Sequence, residues 1–467
     1  MNELTLTING KEERVSGVSP TLPLLSYLRQ RGLVGTKEGC AEGDCGACTV
    51  AIVEQKGEDG PSVQAVNSCL IPLASVADKT LITVEGVSNG TLHPVQKAMV
   101  ETGGSQCGYC TPGFVMSLFA AYYSGERDDT SIEGNLCRCT GYLPIRKALT
   151  SLGEPQLDDP FLQSRSTASE ARASTYEHGV QRFYRPTTLD EVFVLLSEPD
   201  ATLIAGGTDL GVEINKFHKD YSVLVSLEEV RELRTIEDTS RFLELGAAVP
   251  LTQIETQCRG MFPTLDEMLR WFAARQIRNR ATLGGNLGTA SPIGDLPPVL
   301  LALDAELKLA SVRGERFAPV AEFFKGYRQT SLEPGEVIVS VRIPKRLPAD
   351  ASERFSQAYK VGKRGADDIS IVAAAFTVDV DDAGHVIKAR LAYGGVAVTP
   401  LRAVAAEEVL TGQPWTIQTV REVREVLGAT FKPIDDLRGS ASYRTKLIQN
   451  LFEKFFHDFT LEPKVAA

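Results

Sequence analysis

Eight of the nine cysteines in this 467-residue sequence fall into two groups of four. Cys40, Cys45 and Cys48 share one glycine-rich stretch, and Cys69 stands alone downstream. Cys107/Cys110 and Cys137/Cys139 form two tight pairs. Four thiolates satisfy one [2Fe–2S] cluster, and the spacing Cys-x4-Cys-x2-Cys…Cys of the first group is one that holds such a cluster. The chemistry implied is one-electron transfer. In a reducing compartment these spacings mean metal or redox chemistry more often than disulfides. Cys258 stands apart and reads as a small buried hydrophobe.

The elements around the first group suit a cluster loop. Leu4 to Ile8 alternates like a strand and runs into Asn9-Gly10, a two-residue hairpin turn. Thr21 to Arg31 fits a helix with Thr21 as N-cap. Gly39, Gly43 and Gly46 supply the positive φ angles that let backbone N–H groups face sulfur. Thr49 to Val53 leaves the loop as a strand, and Cys69 follows a second. Zinc also accepts four thiolates, but most often from paired Cys-x2-Cys knuckles; here three cysteines share one loop. Residues 1–85 resemble plant-type ferredoxins, which are β-grasp folds.

In residues 86–155, helical periodicity follows His93, Pro112, Ser131 and Tyr142. Each cysteine pair approaches a helix N-terminus, whose free N–H groups and partial positive charge suit an anionic thiolate site. A small helical bundle is expected. By spacing alone, Cys-x2-Cys…Cys-x-Cys leaves zinc open. The longer strings, Gln106 to Gly113 and Gly134 to Tyr142, resemble the second [2Fe–2S] domain of the molybdenum hydroxylases, the xanthine dehydrogenase/aldehyde oxidase family. The resemblance implies that this cluster lies nearest a molybdopterin, with Gln106 and Cys139 close to the pterin, and that the ferredoxin-like cluster lies nearest a flavin.

Composition sets the frame. A net charge of −11 with no basic run gives no footprint for nucleic acid or anionic lipid. No apolar run approaches the roughly 18 residues of a membrane span, and the N-terminus lacks the form of a signal peptide. A cytoplasmic protein is expected. Length suggests several domains. Residues 156–182, from Leu157-Asp158 through the Ser-rich run beginning at Ser164, read as an exposed linker and the main domain boundary.

Two glycine-rich stretches follow. Ala201 to Gly211 reads as a strand, a tight turn and a helix, a weak anion-binding signal that fails the Rossmann fingerprint. Arg280 to Asp295 is the second. Two such loops suit a long dinucleotide, and clusters that pass single electrons call for a flavin that converts them to a two-electron step. Both loops resemble the FAD-binding domain of the same family, of the vanillyl-alcohol-oxidase type. The resemblance implies that Leu203, Ile204, Ala205, Gly206, Gly207, Thr208, Asp209 and Leu210 hold the diphosphate. It places Phe272 by the flavin ring and nicotinamide site, as the flavin-face candidate. Thr282, Leu283, Gly284, Gly285, Asn286, Ser291, Asp295, Ile338 and Lys360 continue the FAD site. From the residues alone, Phe272 and Ile338 also read as plain core, and Asp295 as a helix cap.

Residues 346–467 show alternating runs, Ile371 to Val380 and Val386 to Tyr393, and helical runs from Val420 and Ser442. They resemble the C-terminal α+β domain of the family's flavin subunits. Lys360 to Ile369 corresponds to a loop by the flavin face where NAD enters; Gly365 and Ala366 depart from its usual bulkier or charged residues.

The expected whole is α+β and multidomain: a ferredoxin-like domain (1–85), a helical cluster domain (86–155), a linker (156–182), an FAD domain (183–345) and a C-terminal α+β domain (346–467). The order is similar to the iron–sulfur/FAD subunit of bacterial family members of the xanthine dehydrogenase branch. That likeness implies a separate large molybdopterin-binding subunit, an α2β2 assembly, and no substrate-hydroxylating residue in this chain. Electrons would run from molybdenum through the helical-domain cluster, the ferredoxin-like cluster and FAD to NAD. The implied reaction is xanthine, NAD+ and water to urate and NADH, and hypoxanthine to xanthine. An aldehyde, nicotinate or other N-heterocycle dehydrogenase fits the same residues. An iron–sulfur regulatory sensor is the alternative from another class, and the two FAD-type loops argue against it.

Overall fold

Alternation from Leu4 to Ile8 does build a strand, buried at every second residue, and Asn9 and Gly10 turn it back with φ of 51° and 76°. The computed structural model describes residues 3–55, 61–88, 90–156, 159–163, 172–365 and 367–460. Met1, Asn2, Leu157, Asp158, the linker residues 164–171 and Ala366 lie outside the described residues. The chain is α+β and divides into two compact units: residues 1–231 with 273–281, and residues 232–272 with 282–467.

The first unit opens with a five-stranded sheet in the order Lys11–Val15, Leu4–Ile8, Thr80–Ile82, Thr49–Gln55, Pro61–Asn67. Leu4–Ile8 and Thr80–Ile82 are parallel and the other neighbours antiparallel. With the helix Leu24–Gln30 against it, this is the expected β-grasp arrangement. The helix is shorter than its periodicity suggests. Its cap position is Pro23, with no side-chain cap bond, so Thr21 is not the N-cap; Thr21 instead takes part in a hydroxyl contact with Ser19 at 2.8 Å. Three helices follow, Pro94–Glu101, Thr111–Ser124 and Leu143–Thr150. The run after Ser131 is not a helix; a single 3-10 turn, Asp129–Ser131, stands there. Gly134 interrupts its periodicity three residues on.

A four-stranded sheet completes the unit: Ser174–His178, Gln181–Arg185, Val223–Ser226, Ala201–Ile204. Its hairpin begins inside the stretch read as linker. Tyr176 is the reason: its ring is buried and its hydroxyl donates to the Val18 carbonyl at 2.8 Å. Tyr176, Phe183, Ile204 and Leu224 share one apolar core with Leu4, Leu6, Val50 and Leu81. In packing, residues 172–231 thus belong with the ferredoxin-like sheet.

The second unit holds an antiparallel five-stranded sheet, Ile236–Asp238, Phe242–Gly246, Val337–Pro344, Glu306–Ser311, Gly314–Pro319. It also holds an antiparallel four-stranded sheet, Glu353–Val361, Val372–Val380, Val386–Gly394, Leu401–Arg402. The central strand Val372–Val380 is buried at every residue, and helices Ile417–Thr430 and Ala441–Thr460 pack on the second sheet's core through Leu427, Phe452 and Phe455. Cys258 is buried, as read. Burial raises its thiol to about 11.

Candidate iron–sulfur and flavin sites

The eight cysteines come together as four pairs. Cys45 donates to Cys40, which lowers Cys40 to about 5 and raises Cys45. Cys69 does the same to Cys48, lowering one and raising the other. The Cys40 charge reaches both Cys48 and Cys69, so the two pairs are neighbours. In the second set, the Tyr109 N–H and then the Cys139 thiol lower Cys107, and Cys139 is raised by that bond. Burial, then contact with Cys137, pushes Cys110 up to about 12. Burial opposes the lowering of Cys137, but the Thr140 hydroxyl, 3.1 Å from its sulfur, outweighs it together with the Thr140 and Cys139 N–H groups and the Cys110 thiol.

Two sulfurs that compete for one proton occupy the place of two thiolates on one iron, and two such pairs side by side provide for a two-iron cluster. The residues thus fit a [2Fe–2S] cluster in each set.

Backbone geometry holds the first loop as expected, with one difference. The Cys40 N–H faces the Cys45 sulfur at 3.3 Å and the Glu42 N–H faces the Cys40 sulfur at 3.5 Å. Gly43 and Gly46 have φ of 93° and 65°. Gly39 has no positive φ; it is needed for space, because a Cβ there would lie 2.7 Å from the Cys45 sulfur. Ala41 takes the left-handed conformation instead, at φ 57°.

The two sulfur sets are tied together. The Leu136 N–H, next to Cys137, donates to the Cys45 carbonyl at 3.0 Å. Lys37 donates to the Gly108 carbonyl at 2.9 Å, between Cys107 and Cys110. Two asparagines that composition did not single out stand two residues before a cysteine. Asn67 donates to the Gly43 carbonyl at 2.8 Å and Asn135 to the Gly46 carbonyl at 3.0 Å. The repeated Asn-x-Cys spacing, at Asn67/Cys69 and Asn135/Cys137, was the available signal. Cys107 and Cys139 are exposed, whereas Cys48, Cys69 and Cys137 are buried.

Segment 273–281 was not foreseen as part of this framework. Gln276 donates to Ser117 at 3.1 Å and to Asn135 at 3.0 Å. Arg278, fully buried, pairs with Glu133 at 3.0 Å, and Asn279 donates to the Ala65 carbonyl at 2.8 Å. Nothing in the local sequence signals this, because every partner lies more than a hundred residues away.

The flavin-type loops are built as follows. In the first unit, strand Ala201–Ile204 ends in a turn, Ala205 to Asp209, with Gly207 at φ 74°, and helix Leu210–Phe217 begins at once. Asp209 occupies the cap position without a side-chain cap bond. In the second unit, Thr282 caps the short helix Leu283–Gly288, its hydroxyl accepting the Gly285 N–H at 3.0 Å. Among the described residues, the buried Asn286 Oδ1 has no hydrogen-bond partner. A buried acceptor of this kind is costly unless a donor arrives, so the loop fits a polar ligand group. Asp295 stands at the cap position of helix Leu296–Ala302 without a side-chain cap bond; its oxygens instead accept Lys360 Nζ at 2.8 Å and Ser370 at 2.5 Å. Lys360 also donates to the Trp271 carbonyl at 3.0 Å, beside Phe272. Phe272 and Ile338 are buried, and Ile338 pairs with Leu309 at a β-bulge. Ser291 accepts the Ile293 N–H at 3.3 Å.

Comparison with known proteins gives these loops a context. Residues 6–74 match a 2Fe-2S iron-sulfur cluster binding domain and 83–150 a [2Fe-2S] binding domain. Residues 176–346 match an FAD binding domain in molybdopterin dehydrogenase, and 357–459 a CO dehydrogenase flavoprotein C-terminal domain. The chain belongs to the molybdenum hydroxylase family. Among its relatives, xanthine dehydrogenase of Emericella nidulans is 35% identical over 97% of this chain and 38% of that protein. Xanthine dehydrogenase 1 of Arabidopsis thaliana is 32% identical over 97% of this chain and 39% of that protein. The chain thus spans about two fifths of the length of these curated molybdenum hydroxylases. Of solved structures, carbon monoxide dehydrogenase from Hydrogenophaga pseudoflava aligns at TM-score 0.55 and 29% identity, over 58% of this chain and 94% of that one. Quinoline 2-oxidoreductase from Pseudomonas putida 86 aligns at TM-score 0.54 and 31% identity, over 59% and 94%. The chain therefore carries the two iron–sulfur domains and the FAD-binding domain of an oxidoreductase of this family. Among the described residues, no helix is long and apolar enough to cross a membrane.

Proposed function

We propose that this chain is the iron–sulfur/FAD subunit of a xanthine dehydrogenase, acting in the cytoplasm with a large molybdopterin-binding subunit as an α2β2 assembly. Its reaction is the NAD-dependent oxidation of hypoxanthine to xanthine and of xanthine to urate, with water as the oxygen source. The observation that carries the reading is the pairing of all eight cysteines as two adjacent sets, joined by the Leu136 to Cys45 hydrogen bond. The relatives named xanthine dehydrogenase, aligned over 97% of the chain, support the substrate.

Cys40, Cys45, Cys48 and Cys69 would hold one [2Fe–2S] cluster, and Cys107, Cys110, Cys137 and Cys139 the other. The turn Leu203 to Leu210 would hold the FAD diphosphate. Phe272, Thr282 to Asn286, Ser291, Asp295, Ile338 and Lys360 would serve the rest of the coenzyme. Bound clusters supply one-electron steps, and the flavin supplies the two-electron exchange with NAD. What the chain itself does is hold thiols in pairs, aim backbone N–H groups at sulfur and hold the Lys360 side chain between Asp295 and the Trp271 carbonyl. The division into domains at 1–85, 86–155, 183–345 and 346–467 belongs to the same proposal, the connection at 156–182 being shortened by the strand Ser174–His178.

A second reading, an N-heterocycle, nicotinate or aldehyde dehydrogenase of the family, is favoured by the 31% identity to quinoline 2-oxidoreductase. Copurification of the tagged chain with its partner, followed by NAD+ reduction assays, separates the two. Urate formation from xanthine is the expected result; turnover of quinoline, nicotinate or an aldehyde in its place moves the assignment to the second reading. The visible spectrum is the control: clusters without flavin would mark a regulatory sensor.

A further inference from the structure

Helix Leu210–Phe217, which opens directly from the Leu203 to Leu210 turn, lays one face on the first sulfur loop. Gly211 approaches Leu70 so closely that any Cβ there would collide with the Leu70 backbone. Val212 packs against the cluster of Cys48, Cys69, Leu70 and Leu25. Residues four apart share a helix face, and one turn beyond Gly211 stands Asn215. Its Nδ2 donates to the carbonyl of Cys69 at 2.7 Å and to the carbonyl of Ala41 at 3.0 Å. Lys216 reaches Glu42 at 3.4 Å beside it.

The two acceptors belong to different thiol pairs. Cys69 is paired with Cys48, and Ala41 directly follows Cys40, which is paired with Cys45. One amide nitrogen therefore spans both pairs. Ala41 is also the loop residue held at a positive φ without being glycine, a conformation that persists only where its surroundings enforce it.

We propose that Asn215 is a positioning residue for the site of Cys40, Cys45, Cys48 and Cys69, fixing the separation of its two thiol pairs and thereby the reduction potential of the cluster they hold. The inference rests on reading those four cysteines as [2Fe–2S] ligands. A cluster's potential follows the charge and hydrogen bonding around its ligands. Asn215→Asp keeps the shape of the side chain, removes both donated hydrogens and sets a negative charge against two carbonyl oxygens. That charge favours the oxidised cluster, so the potential falls. Asn215→Ala removes the donors without adding charge and frees Ala41 and Cys69 to move apart.

The test is an anaerobic redox titration of the full chain followed by electron paramagnetic resonance, with iron and flavin content measured alongside. Cys69→Ser identifies which of the two reduced-cluster signals belongs to the first set. If the unaltered chain shows no pair of [2Fe–2S] signals, the reading of the cysteines fails, before Asn215 is tested. Given both signals, Asn215→Asp is expected to lower the midpoint potential of the first alone, and Asn215→Ala to alter its g-values, with flavin content and the second signal unchanged. Should the aspartate variant lose iron, Asn215→Ser, which keeps one donor, is read in its place and is expected to shift the first signal alone. Unchanged potential and g-values in variants that retain iron, or equal shifts in both signals, overturn the proposal.

Discussion

Lys360 carries a buried ammonium whose acceptors, Asp295 and the Trp271 carbonyl, lie 65 and 89 residues away in sequence. Removing one partner of a buried pair leaves the other charge uncompensated, at a cost of about 3–5 kcal/mol. Lys360→Met is therefore expected to lower the denaturation midpoint of the chain and its flavin content together. Asp295→Leu added to it should recover part of the stability, because no lone charge then remains; a double variant less stable than the single would contradict this account. Cys258 shows the opposite case, a titratable group with no partner role. Burial raises it from 9.0 to about 11. A raised folded value means that its contribution to stability is complete below pH 9 and is lost as the pH climbs towards 11. Alkylation of the native chain at neutral pH should spare Cys258, and mass spectrometry of the labelled peptides checks it. Cysteine spacing made the eight paired thiols legible from sequence. It did not reveal Ser370 or Asn215, since a lone serine or asparagine carries no spacing signal until the fold brings its partner near.

Helix Pro94–Glu101 shows how a single cap secures an element of the second sulfur domain. His93 sits at the cap position, its Nδ1 accepting the Val95 N–H at 3.3 Å, while Gln96 reaches back to the His93 N–H at 3.0 Å. Its other nitrogen meets the Tyr123 hydroxyl at 2.9 Å. Burial among Phe119, Tyr122, Tyr123 and Phe161 holds the imidazole down at about 4, against a charge on Asp159 that works the other way. A depressed folded value means that the stabilisation is present above the ordinary histidine value of 6.5 and is lost as the pH falls towards 4. The acid limb of the stability curve should therefore flatten in His93→Gln. Losing the cap in His93→Ala should cost about 1 kcal/mol at neutral pH. Thermal melts at several pH values measure both. A start signal written in neighbouring residues needs no distant partner: Thr188 caps Leu189–Leu195, with Glu191 closing the box. Thr21 failed as a cap because Pro23 already fixes an extended backbone, φ −57° and ψ 135°, immediately before the helix.

Across the molecule, composition misjudged the stretch before residue 182, because Ser174–His178 is a strand made of polar residues around one buried tyrosine. A single apolar residue in five gives no periodicity to read, yet Tyr176 joins a core that begins at Leu4. The consequence is mechanical. The first sulfur loop hangs from strands Thr49–Gln55 and Pro61–Asn67, whose Val50, Ile52 and Val66 lie in the same core as Phe183 and Leu224. A core substitution more than a hundred residues from Cys69 should therefore loosen the cysteine site. Phe183→Ala, fully inside this core, is expected to cost about 3–5 kcal/mol. The visible bands of the iron–sulfur clusters should bleach at a lower temperature as a result. Phe376→Ala removes a ring of equal size from the separate core of residues 371–456. The same loss there should shift flavin release and far-ultraviolet melting more than cluster bleaching. If the two variants bleach the clusters at the same temperature, the sulfur loop draws no particular support from residues 172–231, and the boundary suggested by composition would describe the molecule better than its packing does.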